Sequence, residues 1–273
     1  MNYYSIVYNN GKWEHIEDSS ISITNLGFQF GYGVFETVRF VSKKIFSLEK
    51  HFRRLNSALI SYNIDFNVDL KTLNNIILEG IDRNDAISGT IKIIITPRID
   101  RASSDIFIIY RKEQKIVKLP VKVLMLCEAE FYISRTDILH KSLNYAGNYI
   151  ASIQAQNSGY FEPIFYNKDG FITEGAFRNI FFIRDDKLVT PPLSLGILPG
   201  TTRDSVISIA NLLKIPFNEE RIHIDTINNM NESFITSAGI GVIPCKWDQW
   251  SSNYPLTYKI KNKYNSIKKI NNL

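Results

Sequence analysis

Only two cysteines, Cys127 and Cys245, occur in 273 residues, too few and too far apart for a disulfide framework or a cysteine-based zinc site. Each reads as a small buried apolar side chain. Nine prolines and 14 glycines are too scarce for a collagen or linker-type chain. Long apolar runs are missing too. The longest, Ile91–Thr96 (IKIIIT) and Ile106–Tyr110 (IFIIY), fall far short of the ~20 residues that span a bilayer, so no membrane partner is expected. The opening MNYYSIVYNNGKWEH places polar residues every few positions and does not read as a secretion signal. A soluble, cytoplasmic protein is expected. Charge of one sign is also weak. Lys and Arg number 32 against 27 Asp and Glu, a net +5, which favours anionic small molecules or weak nucleic-acid contact without choosing between them.

A content of 44% hydrophobic and 22% charged residues is that of a folded globular chain rather than a disordered one. At one domain per ~150 residues, the length suggests roughly two domains. In the first third, Asn9-Asn10-Gly11 is a hairpin turn between β-prone Tyr3–Tyr8 and Lys12–His15. Val34–Phe40 reads as a strand entered through Gly31 and Gly33. Leu48, Phe52, Leu55 and Leu59 share one face of a helix over Leu48–Tyr62, and Leu70, Leu73, Ile77 and Ile81 do so in a second, Leu70–Ile81. Strands Gly89–Ile95 and Ile106–Tyr110 follow. The charged stretch RKEQKIV and Leu119-Pro120 place a seam at roughly 112–122, dividing domains 1–115 and 116–273. Beyond it the spacing predicts strand Val121–Leu126, helix Asn144–Gln156, strands Pro163–Tyr166, Phe171–Thr173 and Asn179–Ile183, helix Thr202–Leu213, a strand near Ser233–Ile235 and a C-terminal helix over Leu256–Ile267. Strands and helices without regular βαβ alternation make the fold class α+β.

Four local features carry chemistry. Leu198-Pro199-Gly200-Thr201-Thr202-Arg203 opens a helix, whose N-terminus is a ready anion site with two added hydroxyls; a plain capped helix has the same look. Arg54 lies beside the apolar stripe of its helix while Arg53 turns away, and a guanidinium so placed either snorkels or offers its fork to a phosphate. Lys141 stands at the predicted entry to a helix, where the dipole disfavours a cation and suits a nucleophilic amine; a solvated lysine is the plain alternative. Glu174 sits between apolar runs, where burial demands a partner, unless the segment is a surface turn. One lysine, one arginine, one glutamate and one phosphate-type turn are the parts of a pyridoxal-phosphate site.

The motifs GFQFGYGVFETVRF (27–40), HFRRL (51–55), KSLNY (141–145), EGAFRNIFF (174–182), PPLSLGILPGTTR (191–203) and TSAGIGVIP (236–244) occur in one order. In that order the chain resembles the fold-type IV pyridoxal-phosphate enzymes: branched-chain and D-amino-acid aminotransferases and aminodeoxychorismate lyase. The resemblance implies a small N-terminal α/β sandwich domain, with substrate-side residues and the phosphate-binding arginine. It also implies a larger, cofactor-binding, C-terminal α/β barrel-like domain, with pyridoxal 5'-phosphate between the two. Lys141 then corresponds to the lysine that joins the cofactor aldehyde and shuttles a proton, and Glu174 to the carboxylate on the pyridine nitrogen. Arg54, Gly200, Thr201 and Thr202 fall at the phosphate, Leu198 under the ring, and Ser237 and Ala238 in a second phosphate-side loop. Phe35 and Tyr32 fall in the substrate region. A homodimer is implied as well. The chain departs from the family in Asn25-Leu26-Gly27, Gly31-Tyr32-Gly33, Ala238, Phe177 and Arg178, the last an extra charge near the site.

Arg39, Arg98 and Arg101 are the candidates for holding a substrate carboxylate, since an arginine fork suits that group. The leading expectation is transfer of an amino group between an amino acid and a 2-oxo acid, on the branched-chain pattern of PPLSLGILPGTTR. The lyase releasing pyruvate from aminodeoxychorismate uses the same cofactor residues. A non-catalytic binding protein would lack Lys141 or Glu174, and both are present. The positive excess is then assigned to a phosphate, a carboxylate and a Lys-rich C-terminal helix face, with neither nucleic acid nor metal required.

Overall fold

The structure, a computed structural model, describes residues 2–100, 103–113, 118–131, 133 and 140–270. Two compact units divide the chain. One holds Met1–Lys115 with His140–Asn144, the other Ile116–Leu139 with Tyr145–Asn271.

The first unit is an antiparallel sheet with helices on one face. Its elements are β1 (Ile6–Asn9), β2 (Lys12–His15), α1 (Leu26–Phe30), β3 (Val34–Val41), β4 (Lys44–Ile45), α2 (Leu48–Ser61), α3 (Leu70–Arg83), β5 (Ser88–Pro97) and β6 (Ser104–Lys112). Strand order is β2-β1-β6-β5-β3-β4. Asn10 and Gly11, both at positive φ, close the β1–β2 hairpin as its sequence predicts. Strand alternation decides what reaches each face. Val34, Val38 and Phe40 of β3 and Ile91, Ile93 and Ile95 of β5 meet Leu55 and Leu59 of α2 and Leu73, Ile77 and Ile81 of α3 in one core. Each such side chain contributes roughly 1.5–3 kcal/mol by leaving water. The opposite face carries Phe35, Thr37 and Arg39 beside Ile94, Lys92 and Thr90, their partners across the β3–β5 ladder. Helix α1 lies outside the elements predicted from the sequence. Asn25 caps it by accepting from Phe28 N at 3.1 Å, and Gly31 ends it in the left-handed conformation (φ 65°).

The second unit comprises β7 (Val121–Cys127), α4 (Ala146–Asn157), β8 (Glu162–Tyr166), β9 (Ile172–Gly175), β10 (Asn179–Arg184), β11 (Lys187–Thr190), α5 (Thr201–Leu212), β12 (Phe217–Glu219), β13 (Glu232–Ser237), β14 (Gly241–Lys246) and α6 (Pro255–Ile270). Its mixed sheet runs β12-β11-β10-β13-β14-β7-β8-β9 and curls into a half-barrel that brings the edge strand β9 back toward β10. The apolar run of β10 is covered on both sides. Phe181 and Ile183 pack with Val206 and Ile209 of α5 and Ile260 and Tyr264 of α6, while Ile180 and Phe182 face Val189, Ile235, Ile243 and Trp247. Strands β11, β12 and β14 were not anticipated. Pro244 and the Gly-rich turn before it disguise β14, which nevertheless pairs with β13 and with β7. No helix among the described residues is long and apolar enough to cross a membrane.

Candidate active site

Lys141 does not stand at a helix entry. Helix α4 begins at Ala146, and His140–Asn144 is an irregular segment, bridged to Val34 at Ser142, that belongs to the first unit. The segment is fastened to the start of β3: Phe35 N donates to Lys141 O at 2.8 Å and Leu143 N to Gly33 O at 2.9 Å. A helix dipole acts only within its terminal turn, so it gives no account of the Lys141 amine. Lys141 Nζ lies 4.8 Å from the centre of the Phe35 ring.

A second amine shares that ring. Lys92 Nζ is 4.5 Å from the Phe35 centroid, reached diagonally across the β3–β5 ladder, where Lys92 pairs with Thr37. Lys92 is partly buried and has neither a hydrogen bond nor an ion pair among the described residues. Burial, followed by the charges of Arg111 and Lys141, pushes its ammonium down to about 8. Sequence reading passed over this residue, although one lysine in the otherwise apolar IKIIIT was the available signal.

On the helix-covered face of the same strand, Glu36 is buried against α2. Its carboxylate accepts Arg54 Nε at 2.6 Å and Nη2 at 2.8 Å, and lies 2.8 Å from His51 Nδ1. Burial alone would raise this carboxyl, but the Arg54 guanidinium and His51 outweigh it and hold Glu36 far below the usual carboxylate range. Burial depresses His51 despite Glu36, so the imidazole is neutral. Arg54 therefore faces inward, as its helical position predicts, while Arg53 is exposed and paired with Glu49.

Among the expected carboxylate holders, Arg39 is paired with Glu113, and Arg98 is about half exposed (51%) with its Nε 2.7 Å from Asp105. Arg101 lies outside the described residues. Tyr32 donates its hydroxyl to Tyr62 O at 2.5 Å.

In the second unit, Glu174 lies in β9, one residue before its end, and is buried. Asn179 Nδ2 donates to its Oε2 at 2.9 Å and to Leu198 O at 2.9 Å, and Leu198 N lies 3.2 Å from both carboxylate oxygens. Asn179 thus links Glu174 to the turn before α5. Gly200 is the residue preceding that helix and has no side chain to cap it. Gly200 is also required by space, because a Cβ there would run into Asn179 Oδ1. Thr201 begins the helix, and Thr202 is buried with its hydroxyl 3.5 Å from that of Tyr264. Ser237 and Ala238 stand at the turn from β13 to β14. Arg178 is not a spare charge: it pairs with buried Glu162, whose other oxygen accepts from Phe177 N. Among the described residues, no group of three or more His, Cys, Asp and Glu could hold a metal ion.

The second unit thus sets a buried carboxylate beside a helix start that opens with two threonines, the kind of place that suits an anion. Residues 33–246 match the family model for amino-transferase class IV. A protein of Methanocaldococcus jannaschii assigned as a branched-chain-amino-acid aminotransferase is 30% identical over 251 residues, covering 87% of this chain and 86% of that one. The D-alanine aminotransferase of Staphylococcus epidermidis is 28% identical over 248 residues, 87% of each chain. The solved branched-chain aminotransferase of Thermoproteus uzoniensis with norvaline superposes with a TM-score of 0.85 at 25% identity, covering 97% of this chain and 94% of that chain. The chain belongs to the class IV aminotransferases, pyridoxal-phosphate enzymes of fold type IV.

Proposed function

We propose that the chain moves an amino group between an apolar amino acid and a 2-oxo acid, on the branched-chain pattern, with pyridoxal phosphate as cofactor. The Lys141 amine at the Phe35 ring carries this reading. One face of the sheet there offers a nucleophile, an apolar wall and, in Lys92, a cation with no ion pair among the described residues. Bound pyridoxal phosphate supplies an electron sink for the carbanion left when the substrate Cα loses its proton.

The residues take the remaining tasks. Lys141 Nζ anchors the cofactor aldehyde and carries the proton to and from the substrate carbon. Glu174, oriented by the Asn179 and Leu198 donors, holds a proton on the ring nitrogen. Arg54, the N–H groups at Gly200, Thr201 and Thr202, and the Ser237–Ala238 turn hold the phosphate, with Leu198 under the ring. Lys92 takes the substrate carboxylate, and Phe35 and Ile94 meet its side chain. The first unit is thus the substrate side with the phosphate arginine, and the second binds the cofactor. Exposed Ile21, Ile23, Phe28 and Phe30 within ten residues of the first unit favour a homodimer, which sedimentation tests.

Purified enzyme loaded with pyridoxal phosphate is mixed with a panel of L- and D-amino acids while its visible absorption is followed. Branched-chain L-amino acids are expected to bleach the band as the pyridoxamine form appears. Bleaching by D-alanine alone moves the substrate to the D-series. Pyruvate release from aminodeoxychorismate, with no amino acid converting the enzyme, would establish the lyase instead. Lys141→Ala is expected to lose both band and turnover.

A further inference from the structure

The ammonium groups of Lys92 and Lys141 lie 4.5 and 4.8 Å from the centre of one phenylalanine ring, and Lys92 has no anion to neutralise it among the described residues. Two like charges near a buried ring oppose each other's protonation, and the effect is reciprocal. We propose that Lys92 is a positioning residue for the proton on Lys141: its charge makes the Lys141 nitrogen a poor place for a proton until an anionic group of the bound substrate pairs with Lys92. An empty site then keeps Lys141 a nucleophile, and a filled site makes it a proton acceptor.

On the face that carries Lys92, Arg39 lies diagonal to it on β3 and is paired with Glu113. Arg111, on β6 diagonal to Lys92, adds positive charge. On the other face of β3, Glu36 is already matched by Arg54, and His51 is held neutral by burial, with the Lys141 charge contributing in the same sense. Thr37 and Ile109, which flank Lys92 across the ladders, bring no charge. The sign follows. A cation near a nitrogen lowers the pH at which that nitrogen loses its proton, and neutralising the cation raises it.

The inference rests on the reading of Lys141 as the residue that binds pyridoxal phosphate, and the test separates the two. The visible band of the loaded wild-type enzyme is titrated against pH, with and without 3-methylbutanoate, and the titration is repeated for Lys92→Gln, Lys92→Met and Lys92→Arg. Absence of any band in the wild type defeats the cofactor reading itself. With the band present, Lys92→Gln and Lys92→Met are expected to move its titration midpoint up by about one pH unit. Lys92→Arg restores the wild-type midpoint. The carboxylate raises the midpoint in the wild type and leaves Lys92→Gln unmoved. Midpoints that coincide across wild type and both neutral variants overturn the inference, as does an arginine variant behaving like the neutral ones. The carboxylate arm needs no variant, so a wild-type midpoint indifferent to 3-methylbutanoate also overturns it.

Discussion

Glu36 takes both Nε and Nη2 of Arg54, at 2.6 and 2.8 Å, in a pairing where the carboxylate is 2% and the guanidinium 12% exposed. A buried fork of this kind fixes the arginine's orientation more than it adds stability. Removing one partner leaves the other charge inside without compensation.

Glu36→Ala is expected to lower unfolding stability by roughly 3 kcal/mol, because it leaves the Arg54 charge inside without its partner. Glu36→Gln keeps the shape and loses the charge. Glu36 has a depressed folded-state value, so its contribution is complete above the ordinary carboxylate range and is lost as pH falls below it. Urea titrations of wild type and Glu36→Gln should therefore differ most near neutral pH and converge as the solution is acidified. A gap that widens toward acid would refute the assignment.

Asn179 is expected to matter to the cofactor through Glu174. Asn179→Ala removes the donor held 2.9 Å from Glu174 Oε2, and Asn179→Asp replaces it with a second carboxylate. Pyridoxal phosphate affinity, read by titrating the visible band, should fall about tenfold for the first and further for the second. Equal losses in the two variants would point to packing rather than charge.

Gly31 and Gly159 both sit at positive φ, 65° and 81°. A Cβ on Gly159 meets nothing within 4 Å, whereas one on Gly31 runs into the Asn144 side chain, on the segment that carries Lys141. Alanine at either position strains the backbone by about 1 kcal/mol. Gly31→Ala should cost at least about 1 kcal/mol more than Gly159→Ala in chemical denaturation. It should also lower the rate at which the enzyme takes up pyridoxal phosphate, with Gly159→Ala taking it up as fast as wild type.

Arg98 and Lys92 separate in steady-state kinetics. Arg98 is half exposed and matched by Asp105, so Arg98→Ala should leave kcat/KM within about twofold. Lys92→Met should lower kcat/KM on branched-chain substrates by on the order of a hundredfold, in line with loss of a charged contact to a carboxylate. The reverse ranking would return the carboxylate to the loop arginine.

Much of the first unit was legible because periodicity alone sets which face of an element is buried. The stripe through Leu48, Leu55 and Leu59 located α2 and placed Arg54 beside it, with snorkelling and a phosphate contact both open. Glu36 could not be read that way. A glutamate in a strand gives no sign of burial until α2 is folded over it. Helix α1 was missed because five residues show no period, and its cap, Asn25, is defined by bonds to Thr96 and Asp105 far along the chain. The reading of Lys141 went astray by two residues of helix start, since α4 begins at Ala146. Placing Asn144 in the helix invoked a dipole, whereas pairing with Gly33 and Phe35 determines where the lysine stands.

By itself, the order of residues determined the family motifs, the α+β class and the chemical types present: an amine, a carboxylate, a guanidinium and an anion-binding helix start. These are local properties, set by side-chain identity and by spacings of two or of three and four residues. Only the tertiary structure decided which cation shares a ring with Lys141, which carboxylate orients Arg54 and which amide holds Glu174. Each of these depends on strand register or on a turn meeting a distant strand, and a shift of one residue would send every one of those side chains to the opposite face.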